Sequence, residues 1–317
     1  MKSSLGSGLR IKQYEKRFFQ GEQKHEEKEG ETFNIVKTFG AYEVREASEG
    51  YELLKNGEVV GTFSEAKVEE NRIIFKLSHG MNLEVSENGV REILSPEKAE
   101  LSGLIASDGC ICKYQSKKGK STGYEISLVT VDYELVGVFK KLSEDVYSMT
   151  PHEYLKHHKT KEGEKEHYRT AMYSKKVAYD LWNLGIKGPK PYEFHPPIGY
   201  LDEEGKKAYL RGFFSGDGNV SMGKKGHYIR IYSKCKEGLN ELRKLFIDLG
   251  FHPSEIHTRD RGTIPGRFSG SEYSFTIPEE DHLKFIKEIG SKREEHESRL
   301  QLIRTIDEEK ERRKTEK

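Results

Sequence analysis

Apolar and polar positions along the chain follow two different periods, and the switch between them falls near residue 95. Between residues 32 and 93 apolar residues alternate with polar ones in short runs, the period of half-buried strands. Runs 51–55 and 58–63 flank Asn56-Gly57, a pair suited to the positive φ angles of a type I′ hairpin turn, and Asn88-Gly89 marks a further turn after runs 72–77 and 81–85. The pattern predicts a small β-rich domain over 31–94, preceded by a polar, flexible segment over 1–30.

From residue 96 the period becomes helical. Ser95 is a good N-cap, Pro96 fits the first helical position and Glu97 suits the positive helix end, so a helix is expected from Pro96 to Ser107, stopping at Asp108-Gly109. Paired strands over 110–117 and 124–131 follow. Asp132 then caps a helix carrying Leu135, Val138, Phe139 and Leu142. Strands over 146–157 and 167–173 come next, and a helix over 177–184, capped by Ser174, ends at Gly185. The order then recurs: a helix over 203–215 behind Asp202, strands over 220–225 and 228–233, a helix ending at Gly250, strands over 255–259 and 273–277, and a helix over 278–289. The expected fold is α+β, with two pseudo-symmetric αββαββα repeats at 95–198 and 199–290 behind the β-rich domain. A charged C-terminal helix or tail over 291–317 would be anchored by Leu300 and Ile303.

The duplication is sharpest in the opening helices. Leu101-Ser102-Gly103-Leu104-Ile105-Ala106-Ser107-Asp108-Gly109 is echoed 109 positions later by Leu210-Arg211-Gly212-Phe213-Phe214-Ser215-Gly216-Asp217-Gly218. Gly103 and Ser107 share one helix face, as do Gly212 and Gly216, and small residues four apart let two helix backbones approach closely. That packing brings Asp108 and Asp217 together at the negative ends of both helix dipoles, where neither acid is comfortable alone. A divalent cation with hard oxygen ligands offsets both costs; Mg²⁺ fits, and shares its remaining sites with water and substrate phosphate. The chemistry this suggests is metal-assisted phosphodiester hydrolysis.

Composition narrows the setting. Charged residues make up 34% of the chain yet the net charge is only +1, so bulk charge does not announce nucleic acid. The Lys/Glu-rich, Cys-poor profile resembles that of thermophile proteins. Three cysteines, Cys110, Cys112 and Cys235, form no disulfide framework or complete zinc set. No run is long and apolar enough to span a bilayer and no signal peptide is visible, so a cytoplasmic location and no membrane partner are expected.

Basic residues cluster in and beside the predicted strands. Lys113, Gln115 and Lys117 alternate along one strand, with Lys118 at its turn and Glu125, Ser127 and Val129 alternating on the partner. In the second repeat Lys224 and Lys225 sit near a turn, Arg230 and Tyr232 share a strand face, and Arg259, Arg261 and Arg267 flank another turn. A β-ribbon fits the DNA major groove, where Arg and Gln read base edges and Lys meets phosphates. The same residues also suit an ordinary solvated sheet face.

The paired motifs resemble the LAGLIDADG homing endonucleases of the single-chain, two-motif, archaeal type. The resemblance covers about residues 95–290, and Ser174-Lys175-Lys176 between strand and helix is similar to intron-encoded members. It implies saddle-like antiparallel sheets astride double-stranded DNA, a monomer with pseudo-twofold symmetry, and cleavage of both strands at a long site with Mg²⁺, Mn²⁺ substituting. Asp108 and Asp217, with Gly109 and Gly218 beside them, take the metal-binding roles by this resemblance, and Lys175 joins the DNA-binding set. The family also uses a basic residue at each metal. Lys187, Lys190 and Lys292 are the candidates here, each equally readable as a solvated lysine near a helix end. The motif's sixth position is Ala106 in one copy and Ser215 in the other, and the stretch Tyr192-Glu193-Phe194-His195-Pro196-Pro197 carries no lysine where intein-type members place one. The chain neither begins with Cys or Ser nor ends with His-Asn, so a self-splicing intein is disfavoured. The alternative is a non-cleaving nucleic-acid-binding protein on the same scaffold, an RNA-splicing maturase or a DNA-binding regulator.

Overall fold

The computed structural model describes residues 35–115, 122–160, 163–186, 193–223, 226–260 and 271–315. The chain divides into two compact units, Met1–Ile93 and Leu94–Lys317.

Strands β1 (Ile35–Phe39), β2 (Tyr42–Ala47), β3 (Gly50–Lys55) and β4 (Glu58–Phe63) form one sheet of the first unit in chain order. A second sheet holds β5 (Ala66–Val68), β6 (Arg72–Lys76), β7 (Met81–Ser86) and β8 (Gly89–Leu94), again in chain order. Asn56 and Gly57 both adopt positive φ, 54° and 86°, the two angles a type I′ turn requires. Phe39, Val44 and Leu53 pack with Ile73, Phe75 and Val85 across the sheets, and Phe63 stacks on Phe75 at 4.2 Å. The one acid sunk in the second sheet, Glu84, is gripped by Arg72 Nη1 and Arg91 Nε, each at 2.8 Å. Burial pushes its carboxyl up, but the two guanidiniums outweigh that and hold it below the usual range.

The second unit is a duplication. Helix α1 (Pro96–Asp108), strands β9 (Gly109–Gln115) and β10 (Thr122–Thr130), helix α2 (Tyr133–Tyr147), strands β11 (His152–Thr160) and β12 (Gly163–Tyr173), and helix α3 (Lys175–Asn183) make the first repeat. Helix α4 (Glu203–Asp217), β13 (Gly218–Gly223), β14 (Gly226–Ser233), α5 (Lys236–Asp248), β15 (His257–Asp260), β16 (Ser271–Ile277) and α6 (His282–Glu288) make the second. The sheet orders, β11-β12-β10-β9 and β13-β14-β16-β15, are the same: the first two strands pair, and the fourth lies between the second and the third. This is the expected α+β class with αββαββα repeats. A helix α7 (Glu294–Thr315) follows, with Leu300 and Ile303 fully buried.

Local chemistry accounts for most boundaries. Ser95 Oγ accepts from Lys98 N at 3.2 Å, Asp202 Oδ1 from Gly205 N at 2.8 Å, and Ser174 Oγ from Val177 N at 3.3 Å. Asp132 departs from expectation: it makes no side-chain cap, because Arg293 Nη2 draws its carboxylate away at 2.9 Å. The strand expected from residue 146 begins only at His152. Val146 continues the helical spacing of Leu135, Phe139 and Leu142, so α2 runs on to Tyr147 and stops at Ser148 in the left-handed region.

Candidate functional site

Helices α1 and α4 pack backbone against backbone. A Cβ added at Gly103 would overlap the Tyr209 carbonyl oxygen and lie 2.9 Å from Phe213 N; one at Gly212 would overlap the Glu100 carbonyl and lie 2.9 Å from Leu104 N. One at Gly216 would overlap Ser107 Oγ and come within 3.2 Å of Asp108 Cγ. The register of these approaches advances in the same direction on both helices. They are therefore parallel, and their C-terminal ends coincide.

Asp108 and Asp217 are the last residues of α1 and α4. In both copies the next residue is a glycine in extended conformation that starts a strand at once. A Cβ on Gly109 would meet Ile105 Cα at 2.6 Å, and one on Gly218 would overlap the Phe214 carbonyl. The Asp-Gly pair is thus set by sterics: only glycine lets the strand fold back over the last helical turn. At this end Asp217 lines a small pocket together with Ala106, Ser107, Cys110 and Glu193, residues of the other repeat and of the connection between them. Glu193 is a third acid at the helix ends, one that the strand-and-helix pattern gave no reason to single out.

Further up the seam, Arg211 Nη1 donates to Glu100 Oε2 at 2.9 Å across the helix pair, and Arg211 Nε donates to the Ile289 carbonyl at 2.8 Å. Burial pushes the Glu100 carboxyl up despite Lys292 and Arg211 beside it. Each motif helix is also tied to the last helix of its own repeat by a lysine: Lys98 Nζ reaches Asp180 Oδ2 at 2.7 Å, and Lys207 Nζ reaches Glu288 Oε2 at 3.7 Å. Lys98 is fully buried, and Tyr147 Oη donates to the same Asp180 oxygen at 2.7 Å. Burial, with Asp180 adding to it, pushes the Tyr147 hydroxyl well above its ordinary range.

The lysine expectations fare differently. Lys292 donates its backbone N–H to Ser215 Oγ at 2.8 Å, beside the second motif, but its Nζ lies 3.8 Å from Glu100 Oε1, eight residues before Asp108 on α1. The amine is drawn toward the seam's buried acid, away from the helix ends. Lys187 and Lys190 lie outside the described residues, as do Lys117, Lys118, Lys224, Lys225, Arg261 and Arg267.

Strand register divides the residues of the first sheet between two faces. Lys113 pairs with Tyr124 and Gln115 with Thr122, which puts both on the face of the buried Ile126 and Leu128. Glu125, Ser127 and Val129 belong to the opposite face, with Cys112, Tyr114, Arg169 and Tyr173. The two sets therefore do not form one surface. Alternation along a single strand cannot fix which partner residue shares its face; the pairing register does. Glu125 is also not an exposed acceptor, being buried and ion-paired with Arg169. Around it stand Tyr114, Tyr154 and Tyr173, the last two joined through their hydroxyls at 3.4 Å. The Tyr154 hydroxyl and burial together push Tyr173 up to about 12.

In the second sheet Arg230 and Tyr232 do share the face opposite the core. The Arg230 guanidinium lies over Tyr228 at 4.7 Å and over Tyr232 at 5.9 Å, and its Nε donates to Thr276 Oγ1 at 3.2 Å. Arg259 pairs in register with Glu272 on the same face. Lys175 opens α3, its Nζ 5.7 Å from the Tyr179 ring. No helix among the described residues is long and apolar enough to cross a membrane.

Residues 204–290 match the family described as a LAGLIDADG-like domain. A search of curated proteins found no match. Among solved structures, the chain is similar to I-DmoI in complex with DNA and Mn, at 21% identity over 61% of this chain and 96% of that one, with a TM-score of 0.44. It is similar to the homing endonuclease I-WcaI bound to its DNA recognition sequence, at 16% identity over 61% of this chain and 80% of that one, TM-score 0.42. It is also similar to full-length DUF199/WhiA from Thermatoga maritima, at 16% identity over 67% of this chain and 61% of that one, TM-score 0.41. Residues 204–290 are thus a LAGLIDADG-like domain, and the residues before them share its strand order and its acid-tipped helix.

Proposed function

We propose that this protein is a monomeric, site-specific endonuclease that cleaves both strands of double-stranded DNA with a divalent cation, Mg²⁺ or Mn²⁺. The observation that carries the reading is the closely packed parallel helix pair whose last residues are Asp108 and Asp217. The donor set fits such an ion: two hard carboxylates stand at the negative ends of two helix dipoles, a position that costs free energy until a cation shares it. A divalent ion bound there would supply Lewis-acid polarisation of a phosphodiester oxygen and a bound water of lowered pKa. Asp108 and Asp217 are the residues that would hold the ion. The glycines after them let β9 and β13 start directly at the helix ends.

Arg230, between two tyrosines on the open face of the second sheet, is suited to a base edge, and Tyr232 to stacking or a polar contact there. Gln115 and Lys113 at the end of β9, Lys175 at the start of α3 and Arg259 on β15 suit phosphates and groove walls at the margins. The repeats span 95–198 and 199–290, with 31–94 a separate β-rich domain.

The second reading, a relative that binds nucleic acid without cutting, is favoured by one observation: Lys292 is turned to Glu100. Incubation of a randomised duplex library with and without Mg²⁺, followed by sequencing of the ends, separates the two. The endonuclease reading expects one enriched site cut on both strands, lost in Asp108→Asn. An unenriched library, or equal cutting by the variant, contradicts it, and retention of intact duplex by the protein then supports the binder.

A further inference from the structure

The second repeat holds a cluster that the nuclease reading does not use. His227 lies on β14, His282 opens α6 and Asp307 sits in the middle of α7. Their side chains are 7%, 2% and 7% exposed, and one ligand-capable atom from each lies within 4.8 Å of the others. His227 Nε2 is 3.1 Å from Asp307 Oδ1, and His282 Nδ1 is 3.3 Å from Asp307 Oδ2. We propose that His227, His282 and Asp307 bind one zinc-class divalent ion, which fastens α7 to the second repeat.

Three features of the geometry support a metal over a plain hydrogen-bonded triad. His282 Nε2 lies 3.2 Å from the Ile277 carbonyl, which has no proton to give, so Nε2 carries the hydrogen. In the neutral imidazole its Nδ1 lone pair then faces the Asp307 carboxylate, a meeting of two acceptors that a cation between them resolves. A backbone carbonyl fixing the far nitrogen of a ligating histidine is the usual support for such a ligand. The separations agree as well. His227 Nε2 and His282 Nδ1 each lie 3.3 Å from Asp307 Oδ2, the spacing of donors held about 2.0–2.1 Å from one tetrahedral ion. Finally, two imidazoles and one carboxylate suit Zn²⁺, unlike the all-carboxylate pair at the motif helices, which suits Mg²⁺.

Lys310 is the one opposing charge described at the cluster. It donates to Asp307 Oδ1 at 3.3 Å and to Glu279 Oε1 at 2.7 Å. It is 43% exposed and keeps Glu279 as a partner when an ion takes the Asp307 oxygen, leaving the fourth position to water. The consequence is structural. Helix α7 is highly charged, and its fully buried apolar anchors are Leu300 and Ile303 alone, so a clasp at Asp307 fixes its second half.

The test uses the full chain carrying Asp108→Asn and Asp217→Asn, so that the nuclease site contributes no metal binding. After EDTA treatment and dialysis it is titrated with ZnCl₂ by calorimetry and with CoCl₂ by visible absorption. The expected result is one equivalent bound, the intense visible bands of tetrahedral Co²⁺, and a thermal midpoint raised by roughly 5–10 °C at a hundredfold excess over Kd. Separate His282→Gln, Asp307→Asn and His227→Gln substitutions, each checked for folding by circular dichroism, should each weaken Zn²⁺ affinity at least about 10-fold. No zinc uptake by the parent protein, uptake indifferent to all three substitutions, or a midpoint unmoved by EDTA and zinc would overturn the proposal and leave a proton-bridged triad.

Discussion

The two repeats share a strand order and a motif helix, yet their open sheet faces have little in common. On the first, Glu125 is sunk beneath Arg169 and ringed by Tyr114, Tyr154 and Tyr173, so the central charge is neutralised inside the protein. On the second, Arg230 stands between Tyr228 and Tyr232, hydrogen-bonded to neutral hydroxyls. The motif helices, by contrast, match at Gly103 and Gly212 and at their closing Asp-Gly pairs, with Ser107 in one copy where the other has Gly216. Symmetry is kept where the two halves touch each other and dropped where each faces outward. A duplicated scaffold can therefore present one shared centre and two unlike surfaces.

Substitutions that treat the halves as equal should sharpen the comparison most. Asp108→Asn and Asp217→Asn, made separately, should each lower the rate of double-strand cleavage by about 10²- to 10³-fold in a single-turnover assay, with similar losses from either side. A large loss from one acid alone would break the symmetry of the centre. Gly212→Val forces a branched side chain against the Glu100 carbonyl, and Gly103→Val against that of Tyr209. Each should cost about 3 kcal/mol in chemical denaturation, and the two should not add, because they open one seam.

The helix α7 gives the second repeat a pH dependence for which the first has no counterpart among the described residues. Burial, aided by Arg293 and Arg299, lowers His296 to about 4 from its ordinary 6.5. The unfolded chain then binds the extra proton between those values, so stability falls as pH drops from 6.5 toward 4, by about 3 kcal/mol in all. His296→Gln should flatten that part of the stability curve. The smallest and most discriminating pair is Arg169→Ala against Arg230→Ala. The first leaves buried Glu125 unpaired and should cost about 1–3 kcal/mol of folding stability. The second should spare stability and relax base preference at one position of the site by about 1–3 kcal/mol.

Much of this architecture was legible in the sequence because its signals are local. Ser95-Pro96-Glu97 and Asp202 announce helix starts, Asn56-Gly57 announces a hairpin, and the 109-residue echo announces a duplication. What was not legible depends on pairing across distance. Nothing along β9 and β10 says that Lys113 faces the core side while Glu125 faces the other, since that is set by register. Asp132 has the sequence of a cap but is taken by Arg293, and Lys292 sits near the second motif but leans to Glu100, whose burial is a property of the helix pair. The His227–His282–Asp307 cluster joins residues 25 and 80 positions apart, a spacing with no motif to betray it.

The measurement that bears most directly on the central claim is anomalous diffraction from Mn²⁺ in crystals of the protein with its selected duplex. The account predicts manganese between the ends of α1 and α4, coordinated by both Asp108 and Asp217 and by a phosphate oxygen. Manganese absent from the helix ends, or bound to one aspartate and far from the other, would contradict it.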